Sequence, residues 1–214
     1  MSILIAIDGP SGAGKGFLSQ ALCEKYSFAF LDTGLLFRAT ALKSTLKGVA
    51  VDDNKGLIEI VKNLEPSDFE PINELRSEIN GQVASKIAVL PKVRAALVSY
   101  MRNFAEKRLK QGVGAVLDGR DIGTIVYPQA DLKFFMTATP EERAKRRLKE
   151  LQNRGIPVIF EEVLQEMIQR DRRDRERQDS PLMAAEDAII IDTSDMSPAD
   201  VVALASEAID KALA

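Results

Sequence analysis

The run Gly9-Pro10-Ser11-Gly12-Ala13-Gly14-Lys15-Gly16 combines three glycines before a lysine with one directly after it. Such spacing lets bare backbone N–H groups approach polyphosphate oxygens while the lysine reaches the terminal phosphates. A helix starting at the lysine adds the positive end of its dipole. Gly16 stands where many phosphate loops carry serine or threonine, so the loop offers no direct side-chain ligand to magnesium. Carboxylates elsewhere, water and the phosphates themselves would then hold the metal.

Four other clusters could complete such a site. Asp118-Gly119-Arg120-Asp121 follows an apolar run, and Asp118, closing it, is suited to orient water around Mg²⁺. Arg38, one turn into the helix after Asp32-Thr33, could grip a second phosphate bidentately, or serve as a surface arginine on a capped helix. Arg143, Arg146 and Arg147 share a helix face by their spacing. Mobile guanidinium groups there would stabilise a phosphoryl group in flight, although Glu142 and Glu150 would also let that face be an ordinary solvated one. Arg170, Asp174 and Arg177 are spaced to line one face of a following helix, with Arg173 in a second rank.

Positioning these groups requires strands that end on one edge. Apolar runs without alternation at 3–7, 28–31, 115–117, 132–136 and 188–191, separated by helical segments, predict a parallel sheet covered by helices and hence an α/β fold. In open sheets of this class ligands bind beyond the carboxyl ends of the strands, where the charged clusters fall. Val93, Leu97, Tyr100, Met101 and Phe104 mark the buried stripe of a helix over Pro91 to Lys110. Ser197-Pro198 starts the last helix. Two stretches, roughly 36–84 and 144–162, read as excursions from the core.

The chain has 214 residues, 45% of them hydrophobic and 29% charged, enough for one domain with mobile subregions. A net charge of −3 argues against broad capture of a nucleic-acid polymer but leaves room for local arginine sites. Histidine is absent, which excludes histidine general-base catalysis and histidine-ligated metals. Cys23, the one cysteine, reads as a small core residue. The start of the chain shows no signal segment and no run is long enough to cross a bilayer, so the expected location is cytoplasmic, away from membranes.

Together these motifs resemble the bacterial cytidylate kinases, phosphate-loop enzymes of the nucleoside monophosphate kinase group that move the γ-phosphate of ATP onto CMP or dCMP in pyrimidine nucleotide metabolism. The resemblance rests on Ile7 to Gly16, Leu31-Asp32-Thr33-Gly34, Arg38, Leu90 to Arg94, Leu117 to Thr124 and Arg170 to Arg177. Asp118 through Thr124 discriminates most, because related kinases share the phosphate loop without it. The resemblance implies one domain over 1–214, with a five-stranded core at about 1–35, 85–143 and 163–214, a monophosphate-binding region at 36–84 and a lid at 144–162.

It also implies the division of labour. Gly9, Pro10, Ser11, Gly12, Ala13, Gly14, Lys15, Gly16 and Phe17 would bind ATP, with Mg²⁺ as cofactor reached by Asp118 through water. Arg38, Arg120 and Arg177 would hold the CMP phosphate, and Ser85, Arg94 and Asp121 would read the cytosine. Thr33, Gly119, Arg170 and Asp174 would complete the CMP side, Asp174 accepting from sugar hydroxyls. Catalysis would fall to Lys15, Arg120, Arg143, Arg146, Arg147 and Arg173 in a monomeric enzyme. No strong base is required, since the CMP phosphate is already an anionic nucleophile.

Three positions depart from the family: Phe17 replaces the usual threonine, Phe37 a common tyrosine, and Leu64 to Ser85 is shorter than usual, so its small accessory sheet should be reduced. Two other readings compete. One is a kinase for a different monophosphate or for dephospho-coenzyme A; the other is a non-catalytic nucleotide switch, which the lack of an Asn-Lys-x-Asp signature disfavours.

Overall fold

The computed structural model describes residues 2–214. The chain opens with β1 (Leu4–Asp8), whose five residues are all buried, and passes through the glycine loop into α1 (Lys15–Tyr26). Then follow β2 (Ala29–Asp32), α2 (Thr33–Leu46), α3 (Asn54–Lys62), a 3₁₀ turn at Pro66–Phe69, α4 (Ile72–Leu75), α5 (Glu78–Ile87) and α6 (Pro91–Lys110). The remainder runs β3 (Ala115–Gly119), a π-helical turn at Ile122–Val126, β4 (Leu132–Thr137), α7 (Pro140–Asn153), α8 (Phe160–Arg175), β5 (Ile189–Asp192) and α9 (Pro198–Leu213).

The sheet order is β2-β3-β1-β4-β5, so the strand feeding the glycine loop is central. β1 runs parallel to both β3 and β4, with Asp8 opposite Gly119 on one side and Phe135 on the other. β1 and β3, inside the sheet, are buried throughout as their unbroken apolar runs predict, whereas the edge strand β5 departs from that expectation and leaves Ile189 and Ile190 exposed. Ile5, Ile7, Val116, Phe134 and Ile191 pack with Leu18 and Leu22 of α1 and with Val201 and Ile209 of α9. Cys23 is half-buried against this core, and burial beside Asp118 pushes its thiol up to about 12, as suits an inert packing residue.

Two compact units divide the chain. The first comprises residues up to Phe30 together with Arg108–Ala214, and the second Leu31–Lys107. Within the first, α7 and α8 build their own small core from Ala144, Val163 and Met167, flanked by Leu148, Leu151 and Phe160. Within the second, α2 packs on α3 and α5, and Leu57, Ile60, Leu75, Ile87, Val93 and Leu97 are buried. The expected accessory sheet has no strand among residues 33–107, which form helices and turns alone. Short segments bounded by Pro66 and Pro71 form separate turns there instead of paired strands.

Local chemistry sets the helix ends. The Asp32 carboxylate caps α2 by accepting from Leu35 N at 2.9 Å, Thr139 caps α7 ahead of Pro140, and Ser197 caps α9 ahead of Pro198. Like α4 and α8 behind Pro71 and Ile159, α1 lacks such a side-chain cap. Its cap is Gly14, in the left-handed region at φ 94°, with no side chain accepting from the first turn.

Candidate active site

That uncapped first turn leaves backbone N–H groups aimed at the mouth of the loop, as an anion site needs. The loop reaches this shape only with glycine. At Gly9, φ is 146° and a Cβ would lie 2.0 Å from the Met136 carbonyl oxygen; at Gly12, φ is 78° and a Cβ would crowd Met167 and Arg143. Lys15 curls back, its Nζ donating to the Gly9 and Pro10 carbonyls at 2.8 Å each. Burial, then the neighbouring Arg120 charge, pull its ammonium down to about 7, against the opposing pull of Asp118 and Asp8.

Asp118 is buried at the end of β3, where Ser19 Oγ donates to its Oδ2 at 3.4 Å. The same oxygen lies 4.0 Å from where a Cβ on Gly16 would be, so the carboxylate adjoins the loop. No group of three acidic, histidine or cysteine side chains able to hold a metal occurs among the described residues. One buried carboxylate beside a phosphate loop suits a cation carried mainly by the nucleotide's phosphates and water.

One turn further along, Arg120 Nε donates to Asp174 Oδ2 at 3.1 Å and its Nη1 to the Gly119 carbonyl at 3.1 Å. Arg177 Nη2 donates to the other oxygen of Asp174. Burial would raise the Asp174 pKa, but the charges of Arg120, Arg177 and Arg170 outweigh it and hold the carboxylate below its ordinary value. Arg177 reaches Asp174 from beyond the helix, since α8 ends at Arg175; the expected helical face is completed by a turn instead. Arg170 Nη1 lies 3.5 Å from Ser11 Oγ, placing α8 beside the loop.

The expected transition-state arginines take different positions. Arg143 is fully buried: Nε donates to the Ala138 carbonyl at 2.9 Å, Nη1 to the Ser11 carbonyl at 3.2 Å and Nη2 to Asp171 Oδ2 at 2.6 Å. Arg146 Nη1 donates to Thr193 Oγ1 at 2.9 Å and approaches the Gly12 carbonyl at 3.5 Å, while its Nη2 donates to the Thr193 carbonyl at 2.5 Å. Both therefore hold the loop through its carbonyls. Arg147 pairs with Glu150 at 2.8 Å, and Arg173 donates along its own helix to the Gln169 carbonyl at 3.4 Å. Phe17 is 56% exposed in the first turn of α1.

Thr33, Arg38, Ser85 and Arg94 belong to the second unit. Thr33 is buried at the start of α2. Arg38 Nη1 donates to the Leu75 and Ser77 carbonyls at 2.7 and 3.0 Å, against the bare backbone of Gly81. Ser85 donates back to the Gly81 carbonyl at 2.9 Å, and buried Arg94 donates to the Ala88 carbonyl at 3.3 Å with its guanidinium 5.7 Å from the Phe37 ring centroid. Phe37 thus keeps a packing role without a hydroxyl.

Sequence reasoning passed over three residues of the first unit. Asp171 receives Arg143, and its charge pattern looked like the rest of a salt-bridged helix. Buried Thr193 joins strand ends to the loop, donating to the Ala13 carbonyl at 3.1 Å and lying 3.2 Å from the Thr137 carbonyl. Asp8 is buried where β1 ends; its Oδ1 accepts from Ile122 N at 2.8 Å and its Oδ2 from Gly123 N at 2.7 Å. An acid closing an otherwise apolar strand was the available signal.

A family model described as cytidylate kinase matches residues 5–211. The cytidylate kinase of Paramagnetospirillum magneticum is 47% identical over 196 residues, covering 92% of this chain and 92% of that relative. The cytidylate kinase of Cereibacter sphaeroides is 45% identical over 210 residues, covering 98% and 96%. Among solved structures, a sugar kinase from Janibacter sp. superposes with a TM-score of 0.52 at 12% identity over 98% of this chain and 95% of that one, a likeness of fold.

Proposed function

Since this chain belongs to the cytidylate kinase family, we propose that it transfers the γ-phosphate of ATP to CMP or dCMP, giving ADP and CDP or dCDP. The observation that carries this reading is the Asp118–Asp121 segment, which sets a carboxylate beside the phosphate loop and an arginine on Asp174 one residue pair later. A loop for one nucleotide thus adjoins guanidinium groups for a second anion.

ATP phosphates would lie over the uncapped first turn of α1, with residues 9–17 around them. Lys15 then exchanges its two loop carbonyls for phosphate oxygens and regains its full charge. Asp118 would reach a Mg²⁺ ion on those phosphates through water, and the ion would supply charge neutralisation. Asp174 holds Arg120 and Arg177 by one oxygen each, and so orients the two guanidinium groups that would meet the CMP phosphate.

Arg38 would share that anion, and Arg170, Thr33 and Gly119 would complete the nucleotide's contacts. Ser85, Arg94 and Asp121 would read the base: the exocyclic amine of cytosine donates and suits the Asp121 carboxylate, whereas N3 and O2 accept. A uracil carbonyl facing that carboxylate would cost several kcal/mol. Arg143 and Arg146 would serve the reaction by fixing the loop, leaving Arg147 and Arg173 to approach the transferred phosphoryl group. The working form would be a cytoplasmic monomer.

A coupled ADP-release assay with CMP, dCMP, UMP and AMP tests the reading. CMP or dCMP should give the highest kcat/KM; faster turnover of UMP or AMP would overturn the base assignment.

A further inference from the structure

Asp8 is a buried acid to which the reaction as described gives no task. It is the last residue of β1, adjacent to Gly9, and each of its carboxylate oxygens receives one backbone N–H from consecutive residues, Ile122 and Gly123. Those N–H groups open the π-helical turn Ile122–Val126, whose cap is Asp121 at φ −147° and ψ 24° with no side-chain capping bond of its own. The carboxylate of Asp8 therefore supplies, from a different strand, the cap that Asp121 does not provide.

The turn is held from its other end as well. The Asp121 carbonyl accepts from Ile125 N at 2.9 Å and Val126 N at 3.1 Å, and Tyr127 N donates to the Ile122 carbonyl at 2.6 Å. Gly123 sits so close that a Cβ there would be 3.1 Å from Lys133 Cδ and 3.5 Å from Asp8 Oδ2. The backbone that aims Asp121 is thus fixed between its own turn and one carboxylate.

We propose that Asp8 is a positioning residue for base selection: by binding the Ile122 and Gly123 N–H groups it fixes the orientation of Asp121 and ties the cytosine-reading carboxylate to the strand that carries the phosphate loop. Burying this acid is costly, and burial pushes its carboxyl up to about 6 despite the two hydrogen bonds. A buried acid that only filled space would be replaced by an apolar residue at no loss. Two charge-assisted bonds to neighbouring amides instead give a rigid, directional anchor. The proposal rests on the assignment of cytosine reading to Asp121.

The test measures kcat/KM for CMP and UMP, with ATP affinity by calorimetry, in Asp8→Asn and Asp121→Asn. Asparagine keeps one acceptor and turns the other toward an N–H as a second donor, so the turn shifts. The CMP-to-UMP ratio should fall by about tenfold in Asp8→Asn, because displacing a positioned group by about 1 Å can cost a hundredfold. KM for CMP should rise in both Asp8→Asn and Asp8→Glu, and Asp8→Glu, which keeps the negative charge near Lys15, should hold ATP affinity within about twofold.

An unchanged ratio in Asp8→Asn with a collapsed ratio in Asp121→Asn overturns the positioning role alone. An unchanged ratio in Asp121→Asn overturns the base-reading assignment itself. Should Asp8→Asn melt below the assay temperature, Asp8→Glu keeps the charge and displaces both oxygens by one methylene. An unaltered ratio in that variant likewise overturns the proposal.

Discussion

Helices α7 and α8 carry arginines on two sides, and the two sides live under different physical rules. On the inner side Arg143 and Arg146 donate to the backbone carbonyls of Ser11 and Gly12, and Arg170 reaches Ser11 Oγ. On the outer side Arg147 pairs with Glu150 and Arg172 with Glu176, each within one turn of its own helix. An inner guanidinium gives up solvation and is compensated by several fixed acceptors, so it holds geometry. An outer pair gains little over its hydration. The same residue type is therefore a clamp on the phosphate loop or a solubilising charge according to what faces it.

The largest effect should come from Arg143→Ala. It leaves Asp171 as a buried, unpaired carboxylate and the Ser11 carbonyl without its donor, a loss of about 3–5 kcal/mol. Denaturant midpoints check it, and Arg143→Lys should recover only part, since an ammonium cannot reach three fixed acceptors as a planar fork does. A loss below about 1 kcal/mol would put Arg143 with the outer arginines.

Lys15 breaks the comparison differently, because its carbonyl partners are temporary. Lys15→Ala should lower kcat by about 10²–10³ while leaving the fold intact, as for removal of one donor to a developing charge. With its pKa pulled down to about 7, Lys15 is partly neutral near pH 7, and phosphates favour the ammonium. ATP binding should then take up a fraction of a proton at that site, so affinity weakens as pH rises above 7. Calorimetry in buffers of unlike ionisation enthalpy reads the uptake, and Lys15→Ala supplies the nucleotide's own contribution. Equal proton uptake by the two proteins would mean that Lys15 is already charged.

Much of this was legible beforehand. Apolar runs located all five strands to within a residue or two, and α6 begins and ends at the expected Pro91 and Lys110. The phosphate loop was readable because its glycines and lysine are local in sequence. Tertiary partners were not. Helical spacing put Arg143, Arg146 and Arg147 on neighbouring positions but could not say that the first meets the Ser11 carbonyl and the third Glu150. Asp8 closed a strand pattern, yet its two partners lie more than a hundred residues away in a π-helical turn that no hydrophobic period announces. Likewise Arg177 kept its partner Asp174 although the helix that periodicity extended to it ends earlier.

The smallest effect separates the two sides most cleanly. Arg172 in the last turn of α8 and Glu176 at its C-cap are both largely exposed, so Arg172→Ala should change stability by no more than about 0.5 kcal/mol. Turnover should be unchanged, because neither partner faces the loop. Arg147→Ala should match it in stability, since the pair with Glu150 is also local. In turnover the two variants diverge if Arg147 leaves Glu150 for the transferred phosphoryl group: kcat should then fall by about tenfold or more in Arg147→Ala alone. Equal turnover in both variants would assign Arg147 wholly to the solvated side and leave the phosphoryl group to the inner cations.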